Sequence, residues 1–285
     1  MRPILVTGGT GQVGTALQAL AERFAVGIVA PDREALDVTD PVAVQAFIGQ
    51  GDWSAIINCA AFTAVDEAER AYERCDALNA VAPGLLASAA AARGTRLLHL
   101  STDYVFDGAK PGCYDECDPV CPLGVYGASK EAGERAVRAA GGDHLIVRTA
   151  WVVSPWRRNF VRTMLRLAEA QHTVRVIDDQ RGSPTSALDL AEALLVMAAP
   201  NGPRGTLHIV NSGEASWYDL ARLVFERASL DVDLKPIASA DYPTPARRPA
   251  NSCLSTARLR RETGISPRSW QHAVGEIVDL LVAAR

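Results

Sequence analysis

The stretch TGGTGQVG, residues 7–14, follows a short apolar run at residues 4–6 and leads into a segment with an apolar face of helical period. Its glycines, Gly8, Gly11 and Gly14, form the pattern GxxGxxG between a predicted strand and a predicted helix. Glycine has no Cβ, so it permits a tight turn and lets backbone N–H groups approach a pyrophosphate, to which the helix N-terminus adds partial positive charge. The stretch therefore predicts a dinucleotide-binding loop with these three glycines at the cofactor.

Short apolar runs alternate with helix-length amphipathic segments over the first 210 residues. The runs that predict buried strands are residues 4–6, 26–30, 55–60, 96–100, 145–148, 174–177 and 207–210. Alternation of this kind indicates βαβ units, and hence a parallel sheet covered by helices on both faces. The predicted fold class is therefore α/β, a Rossmann-type doubly wound parallel sheet with a smaller C-terminal substrate-binding region.

The pattern changes beyond residue 150. Helical patterns at 217–228 and 270–284 predict a smaller unit beside the sheet, and irregular segments at 151–159 and 241–251 predict loops that cover a site. We expect residues 1–150 to form a dinucleotide-binding Rossmann domain, completed by parts of 170–215. We expect residues 151–285 to form mainly the substrate-binding region, interleaved with the first domain.

Composition argues against several classes of protein. The 285 residues include 29 basic and 33 acidic side chains, a formal charge of −4, so no nucleic acid or anionic membrane is expected as a partner. Apolar stretches are short and interrupted, and the N-terminus lacks the apolar run of a signal peptide, so we expect no membrane span and a cytoplasmic protein with reduced cysteines. Cys113, Cys117 and Cys121 recur on an irregular segment without zinc-site spacing, and no metal site is predicted.

The end of the second predicted strand bears on the choice of cofactor. Asp32 could accept a hydrogen bond from a ribose 2′-hydroxyl, whereas Arg33 could pair with a 2′-phosphate, so both NADH and NADPH stay open. Alternatively, both side chains simply cap the strand at the surface. Asp37 and Val38 are expected near the adenine. The third strand is followed by a turn that is expected at the same sheet edge as the glycine loop, formed by Ala60, Ala61, Phe62 and Thr63.

Three polar side chains suggest oxidoreductase chemistry. Tyr126 and Lys130 are four residues apart and share a helix face, and Thr102 ends the fourth predicted strand. A nearby ammonium is expected to lower the pKa of the Tyr126 phenol from about 10 and to make it a usable proton donor. Lys130 can also bind the nicotinamide ribose. Thr102 is placed to hydrogen-bond the oxygen on the carbon that exchanges hydride.

Several longer segments carry a family resemblance: TGGTGQVG, CAAFTAVDEAE, STDYVFDG, PLGVYGASKEAGE, IVRTAWV, NFVRTMLRL and GSPTSALDLA. Together they resemble the dTDP-4-dehydrorhamnose reductases of the extended short-chain dehydrogenase/reductase superfamily, over nearly the whole chain to about residue 255. The resemblance implies that NADPH or NADH reduces the C4 ketone of dTDP-4-dehydro-L-rhamnose to dTDP-L-rhamnose, a step of dTDP-rhamnose biosynthesis.

The resemblance also implies roles for individual residues. Tyr126 would be the proton donor and Lys130 its partner, also on the cofactor. The other implied cofactor contacts are Gly11, Gln12, Val13, Asp37, Val38, Ala61, Phe62, Thr63 and Leu100. The implied substrate contacts are Thr102, Asp103 and Trp151, with Arg248 in a segment resembling the family's substrate loop, where a cation could meet the diphosphate. Trp151 has a second interpretation, as an anchor between domains.

Magnesium is associated with some members through acidic residues, one of them on the first helix. Ala16 stands there in this chain, which argues against a metal-bridged dimer, while a homodimer as such stays open.

Three alternatives differ in how well the residues fit them. Related 4,6-dehydratases have a Glu after the Thr-Asp pair as the base for C5, and this chain has Tyr104 there, which argues against that reaction. A reductase or epimerase of another nucleotide sugar stays open. A non-catalytic, cofactor-binding regulatory subunit is the alternative from a different class, and the retention of Thr102, Tyr126 and Lys130 argues against it.

Overall fold

The computed structural model describes residues 2–284. Its strands are β1 Ile4–Thr7, β2 Ile28–Val29, β3 Ala55–Asn58, β4 Arg96–Thr102, β5 His144–Thr149, β6 Val152–Val153, β7 Thr173–Ile177, β8 Arg181–Gly182, β9 Thr185–Ser186, β10 Gly205–His208, β11 Ala215–Ser216 and β12 Asp233–Ile237. Its α-helices are α1 Gln12–Leu20, α2 Pro41–Gln50, α3 Val65–Ala68, α4 Tyr72–Asp76, α5 Ala82–Ala92, α6 Val125–Ala139, α7 Phe160–Ala170, α8 Ala187–Met197, α9 Trp217–Arg227, α10 Ala257–Thr263 and α11 Trp270–Ala283. A π-helical segment, Ala77–Val81, joins α4 to α5.

Six strands form the central sheet in the order β10-β5-β4-β3-β1-β2, and every neighbouring pair is parallel. The chain moves from β1 outward to β2 and then crosses to β3 on the other side of β1. Such a switch point leaves a crevice outside the carboxyl ends of the strands, where open α/β sheets bind ligands. The prediction of a Rossmann-type parallel sheet is confirmed.

Apolar side chains cover both faces of this sheet. On one face α1 and α8 pack together, with Leu17, Leu190 and Leu194 completely buried. On the other face α2, α5 and α6 pack over the strands, with Ile48 and Leu86 in the core. The strands are buried on both sides, which explains their nearly continuous apolar sequence.

A third core belongs to the C-terminal region. It is built mainly from α7, α9 and α11; α7 and α9 pack over β7, and α11 packs against α9. The helices predicted at 217–228 and 270–284 are confirmed as α9 and α11.

The strand predicted at residues 174–177 is real but lies outside the central sheet. As β7 it pairs in parallel with β12 in a separate two-stranded sheet. Its side chains alternate, with Val174 and Val176 buried and Thr173 and Arg175 exposed. This alternation is typical of a strand with one solvent face, whereas a strand of the doubly covered sheet is apolar on both faces. The assignment of residues 174–177 to the main sheet was therefore wrong.

One helical run has the length and composition of a membrane span. It comprises α4, the π-helical segment and α5, over Tyr72–Ala92, and half of its most apolar window is buried inside the protein. The expectation that apolar stretches are short and interrupted is wrong for this run, because the three segments join into one continuous helix. The run packs against α6 and α2 inside the protein.

Candidate active site

The glycine loop closes tightly between β1 and α1. Gly8 has a left-handed backbone (φ +69°), and the backbone N–H of Gly11 donates to its carbonyl at 3.0 Å. A Cβ on Gly14 would lie 2.4 Å from the Gly8 carbonyl oxygen, so this position accepts only glycine without displacing the loop. No side chain caps the start of α1 at Gly11. The first backbone N–H groups of α1 therefore have no side-chain acceptor and can donate hydrogen bonds to an anion.

A cleft of about 300 Å³ opens beside this loop. It is lined by Thr7, Gly8, Gly9, Thr10, Gly11, Pro31, Asp32, Arg33, Leu36, Asp37, Val38, Cys59, Ala60, Ala61 and Leu78. The loop, the end of β2 and the end of β3 thus meet at one edge, as expected. Gln12, Val13 and Gly14 form the first turn of α1 beside the cleft. Backbone donors without caps and a mostly apolar wall fit a dinucleotide.

Asp32 and Arg33, the charged residues expected to determine the preference for NADH or NADPH, have partners within the protein. Arg33 pairs with Asp37 at 3.2 Å, and Asp32 accepts a hydrogen bond from the Ala35 N–H at 2.9 Å. Asp37 also accepts from the Thr39 hydroxyl at 2.6 Å, and this bond contributes most to holding its pKa below the ordinary range. Both side chains are therefore engaged within the protein.

The turn after β3 is fixed by a residue that sequence reasoning missed. Asn79, in the π-helical segment, accepts from the Phe62 N–H at 2.8 Å and donates to the Phe62 carbonyl at 3.0 Å. The Asn79 side chain is completely buried. This pairing holds Phe62, and Thr63 after it, at the sheet edge. A lone asparagine in an Ala-rich helix gives no sequence signal for such a contact.

Lys130 and Thr102 meet at the carboxyl end of β4. Helix α6 begins at Val125, and Lys130, in its second turn, donates to the Leu100 carbonyl at 2.6 Å. Thr102 ends the strand, and its hydroxyl donates to Asp103 at 3.0 Å and accepts from the Tyr104 N–H at 3.2 Å. The helix approaches this strand end closely because position 127 is glycine, whose Cβ would lie 2.1 Å from the Tyr104 carbonyl oxygen.

Tyr126 lies in the same cluster, one helical turn before Lys130. Its ring packs edge to face against Tyr104, with ring centroids 5.8 Å apart, and its hydroxyl interacts with the Thr102 side chain. The structure thus brings together Thr102, Tyr126 and Lys130, the three residues predicted to carry the chemistry.

The predicted shift in the pKa of Tyr126 was wrong in direction. Burial raises the pKa of this phenol above its ordinary value, and it is the Thr102 hydrogen bond that lowers it in part. The Lys130 ammonium is directed at the Leu100 carbonyl, and burial lowers its pKa to about 8. Burial also raises the pKa of Asp103 to about 6. At neutral pH the phenol is therefore protonated and ready to donate.

A buried polar network lies behind this cluster and was not predicted. Asn58, at the end of β3, accepts from the Thr7 hydroxyl at 2.7 Å, and its amide nitrogen lies 3.0 Å from His99 Nδ1. Burial, reinforced by the Lys130 charge, lowers the pKa of His99 well below its ordinary value, so the imidazole is neutral. The network ties the ends of β1 and β3 to the middle of β4 beneath the cleft. Its members are single residues on apolar strands, where sequence gives no indication of pairing.

Trp151 and Arg248, which are both predicted to contact the substrate, also contact other side chains of the protein. The Trp151 ring stacks on Trp217 with centroids 3.5 Å apart and planes 6° apart, and its backbone is left-handed (φ +46°). This stack joins the end of the central sheet to α9, in agreement with the anchor interpretation. Arg248 pairs with Asp66 at 2.8 Å and also interacts with the Tyr104 hydroxyl. The segment before Asn251 therefore covers the cluster around Tyr104.

Loop 151–159 is hydrogen-bonded to the glycine loop and to the first residue of α1. The Gln12 side chain donates to the Val152 carbonyl at 3.1 Å and accepts from the Ser154 hydroxyl at 2.7 Å. Arg157 donates to the Thr10 carbonyl at 2.7 Å. These three hydrogen bonds, the 151–159 clasp, connect the phosphate loop to the segment that leads into α7.

No metal-binding arrangement of three or more His, Cys, Asp or Glu side chains occurs within residues 2–284. Cys113, Cys117 and Cys121 are free and exposed. Ala16 is completely buried against α8.

Substituting Gly14 by Ala tests the glycine loop. The added Cβ would meet backbone atoms of Gly8 and Gly9 at 2.4 to 2.8 Å, so we expect a destabilisation of about 1–3 kcal/mol and dinucleotide affinity about tenfold weaker or worse. Thermal unfolding and a fluorescence titration with NADPH measure both. Gly49→Ala is the control, because nothing lies within 4 Å of its Cβ in α2, and it should stabilise the helix by about 0.5–1 kcal/mol. Equal affinities in the two variants would contradict the prediction.

Comparison with known proteins agrees with this geometry. The family model described as RmlD substrate binding domain matches residues 1–283. A protein of Sinorhizobium fredii named dTDP-4-dehydrorhamnose reductase is 42% identical over 285 residues, which cover 96% of each chain.

Two solved structures are similar over almost their full length. A dTDP-4-dehydrorhamnose reductase from Clostridium acetobutylicum superposes with a TM-score of 0.95 at 38% identity, covering 98% of this chain and 99% of that one. Another, from Bacillus anthracis in complex with NADP, gives 0.92 at 33% identity, covering 97% and 98%. The fold, the arrangement of the cluster and these similarities lead to one conclusion: the chain belongs to the dTDP-4-dehydrorhamnose reductase family.

Proposed function

We propose that the chain catalyses the NAD(P)H-dependent reduction of the C4 ketone of dTDP-4-dehydro-L-rhamnose to dTDP-L-rhamnose. The observation that carries the proposal is the meeting, at one edge of the sheet, of the glycine loop with Thr102, Tyr126 and Lys130. The names of the relatives supply the substrate class, since the proteins of Sinorhizobium fredii and Clostridium acetobutylicum are both named for this reaction.

Each of the three residues has a separate task. The reduced nicotinamide, when bound, supplies the hydride. Negative charge then develops on O4, where Tyr126 donates its proton and the Thr102 hydroxyl donates a hydrogen bond. Lys130 binds the nicotinamide ribose, and its positive charge stabilises the phenolate that Tyr126 becomes. Burial keeps the Tyr126 phenol protonated before the reaction, which suits a proton donor in the direction of reduction.

The cofactor would be held by the backbone of the glycine loop and by the cleft beside it. Gly8, Gly11 and the first turn of α1, at Gln12 and Val13, would bind the pyrophosphate, with Gly14 allowing the turn. The adenosine half would contact the remaining proposed residues, which are Asp32, Arg33, Asp37, Val38, Ala60 and Ala61. Phe62, Thr63 and Leu100 would complete the contacts to the cofactor.

The sugar nucleotide would be held by side chains above the cluster. Asp103 adjoins Thr102, Trp151 offers ring surface at the edge of the stack with Trp217, and Arg248 would meet the diphosphate. Arg248 is preorganised for this by Asp66, which accepts from its Nη1 and Nη2 atoms at 3.1 and 2.8 Å. We further propose a cytoplasmic location, which the six free cysteines favour.

The test supplies purified protein with dTDP-4-dehydro-L-rhamnose and either NADPH or NADH. We expect cofactor oxidation with at least one of them, followed by absorbance, and equimolar dTDP-L-rhamnose identified by NMR. If the cofactor were oxidised only with a different 4-keto nucleotide sugar, the chain would still be a reductase, but that sugar would be its substrate. Cofactor binding without oxidation of any 4-keto nucleotide sugar would favour the regulatory alternative and overturn the proposal.

A further inference from the structure

Glu134 is a completely buried carboxylate on the helix that carries Tyr126 and Lys130. It accepts from the Ser101 hydroxyl at 2.7 Å, from Arg148 Nε and Nη2 at 2.8 Å each, and from Arg138 at 2.7 Å. Its side chain has no exposed area, and that of Arg148 is 3% exposed. A buried carboxylate with four donors and a bidentate arginine holds one geometry.

The partners of Glu134 stand directly beside the reacting end of the sheet. Ser101 precedes Thr102 on β4, and Ser101 lies opposite Arg148 on β5 in the strand register. Tyr126, Lys130 and Glu134 follow one another at intervals of four residues, so they share one face of α6. The carboxylate therefore clamps this face to two adjacent strands, one turn beyond Lys130.

We propose that Glu134 is a positioning residue, which fixes the face of α6 that carries Tyr126 and Lys130 against the ends of β4 and β5. The inference rests on the proposed function, since it assigns Glu134 a place in that reaction. Without the clamp, α6 could slide or rotate on the strands and the distance from Tyr126 to Thr102 would change. A misplacement of about 1 Å at a reacting group can cost about 100-fold in rate.

Glu134 also acts on Lys130 through its charge. Burial lowers the pKa of Lys130, and Glu134 is the largest of the influences that raise it again, ahead of Cys59 and Cys75. Glu134 is on α6 itself, Cys59 directly follows β3, and Cys75 is on α4. The neutral His99 faces Lys130 from β4. Glu134 thus preserves the ammonium near neutral pH as well as placing it.

The chain allows this effect to be measured without any substrate. It contains three lysines, Lys110, Lys130 and Lys235, so a protein labelled with ¹³C at the lysine ε-carbon gives three resonances, and Lys130→Met identifies the one of interest. In Glu134→Gln we expect the Lys130 resonance to titrate at lower pH than in the wild-type protein. We expect kcat to fall about 10- to 100-fold, with the alkaline limb of its pH profile moved the same way.

Two further variants separate charge from position. Glu134→Asp keeps the charge but shortens the reach, so the Lys130 titration should stay close to that of the wild-type protein while kcat falls. Glu131→Gln is the matched control, since Glu131 is on the same helix but pairs with the exposed Arg135 on that helix rather than with a strand, and it should change neither quantity. If Glu134→Gln does not fold, because Arg148 loses its buried partner, the double variant Glu134→Gln/Arg148→Gln removes both charges together.

The outcomes distinguish this inference from the proposed function. A folded Glu134→Gln variant, or the double variant, whose Lys130 resonance titrates like the wild-type protein and whose kcat is unchanged overturns the positioning role. A wild-type protein that oxidises neither cofactor with any 4-keto nucleotide sugar overturns the proposed function, whereas the NMR titration still reports whether Glu134 acts on Lys130.

Discussion

Replacing Tyr126 by Phe is expected to lower kcat at least about 100-fold, the range that a positioned general acid contributes, while leaving NADPH affinity nearly unchanged. The Phe ring retains the packing against Tyr104, so what disappears is the hydroxyl that interacts with Thr102 and donates the proton. Steady-state kinetics with the keto sugar and a fluorescence titration with NADPH measure the two quantities separately.

Tyr114→Phe is the matched control for this change. The Tyr114 hydroxyl donates to Asp107 at 2.8 Å and its ring stacks on Phe106, away from the glycine loop. Loss of this bond and of the one that the hydroxyl accepts from the Lys110 N–H at 3.0 Å should cost about 1–3 kcal/mol of stability and leave kcat close to the wild-type value. Turnover of Tyr126→Phe at the wild-type rate would refute Tyr126 as the proton donor.

Replacing Lys130 by Met is expected to abolish most turnover, weaken cofactor binding and change how stability depends on pH. Burial lowers the pKa of Lys130 from its ordinary 10.5 to about 8, so between these values the unfolded chain binds more protons than the folded one. The free energy of unfolding therefore rises with pH across this window, and the cost of the buried charge is fully present below pH 8. One pKa unit is worth about 1.4 kcal/mol, so the rise amounts to about 3 kcal/mol.

Urea unfolding of both proteins at several pH values checks this result. The difference between the wild-type and Lys130→Met curves isolates the lysine, because the other groups that titrate in this range are common to both. The lost hydrogen bond to the Leu100 carbonyl shifts the whole curve of the variant but not its slope. Parallel curves between pH 8 and 10.5 would show that Lys130 is not held in a buried, charged state.

The elements at the sheet edge could be predicted because their signals are local. The glycine loop, the apolar strands and the pair Tyr126 and Lys130 each show in a few consecutive residues, and the family resemblance assigned their chemistry. Residues 174–177 were misplaced because a short apolar run does not say which sheet it joins. That information is in the alternation with exposed Thr173 and Arg175 and in the partner β12, 60 residues further along.

The supporting residues could not be predicted, because each acts through a side-chain contact between separate elements of the fold. Glu134 meets Arg148 on the next strand, Asn79 meets Phe62, and Asp66 meets Arg248, 182 residues away. The prediction for the pKa of Tyr126 was wrong for a related reason. Spacing places a lysine near a tyrosine, but the depth of burial that raises this pKa exists only once the chain has folded.

The 151–159 clasp limits how the cleft can move. A hinge that opened the C-terminal region away from the Rossmann sheet would have to break the bonds of Gln12 to Val152 and Ser154 and the bond of Arg157 to Thr10 together. At about 0.5–1.5 kcal/mol for each bond, widely open conformers would be a small minority even before any ligand arrives. The energy of ligand binding is then not spent on closing the C-terminal region onto the Rossmann sheet.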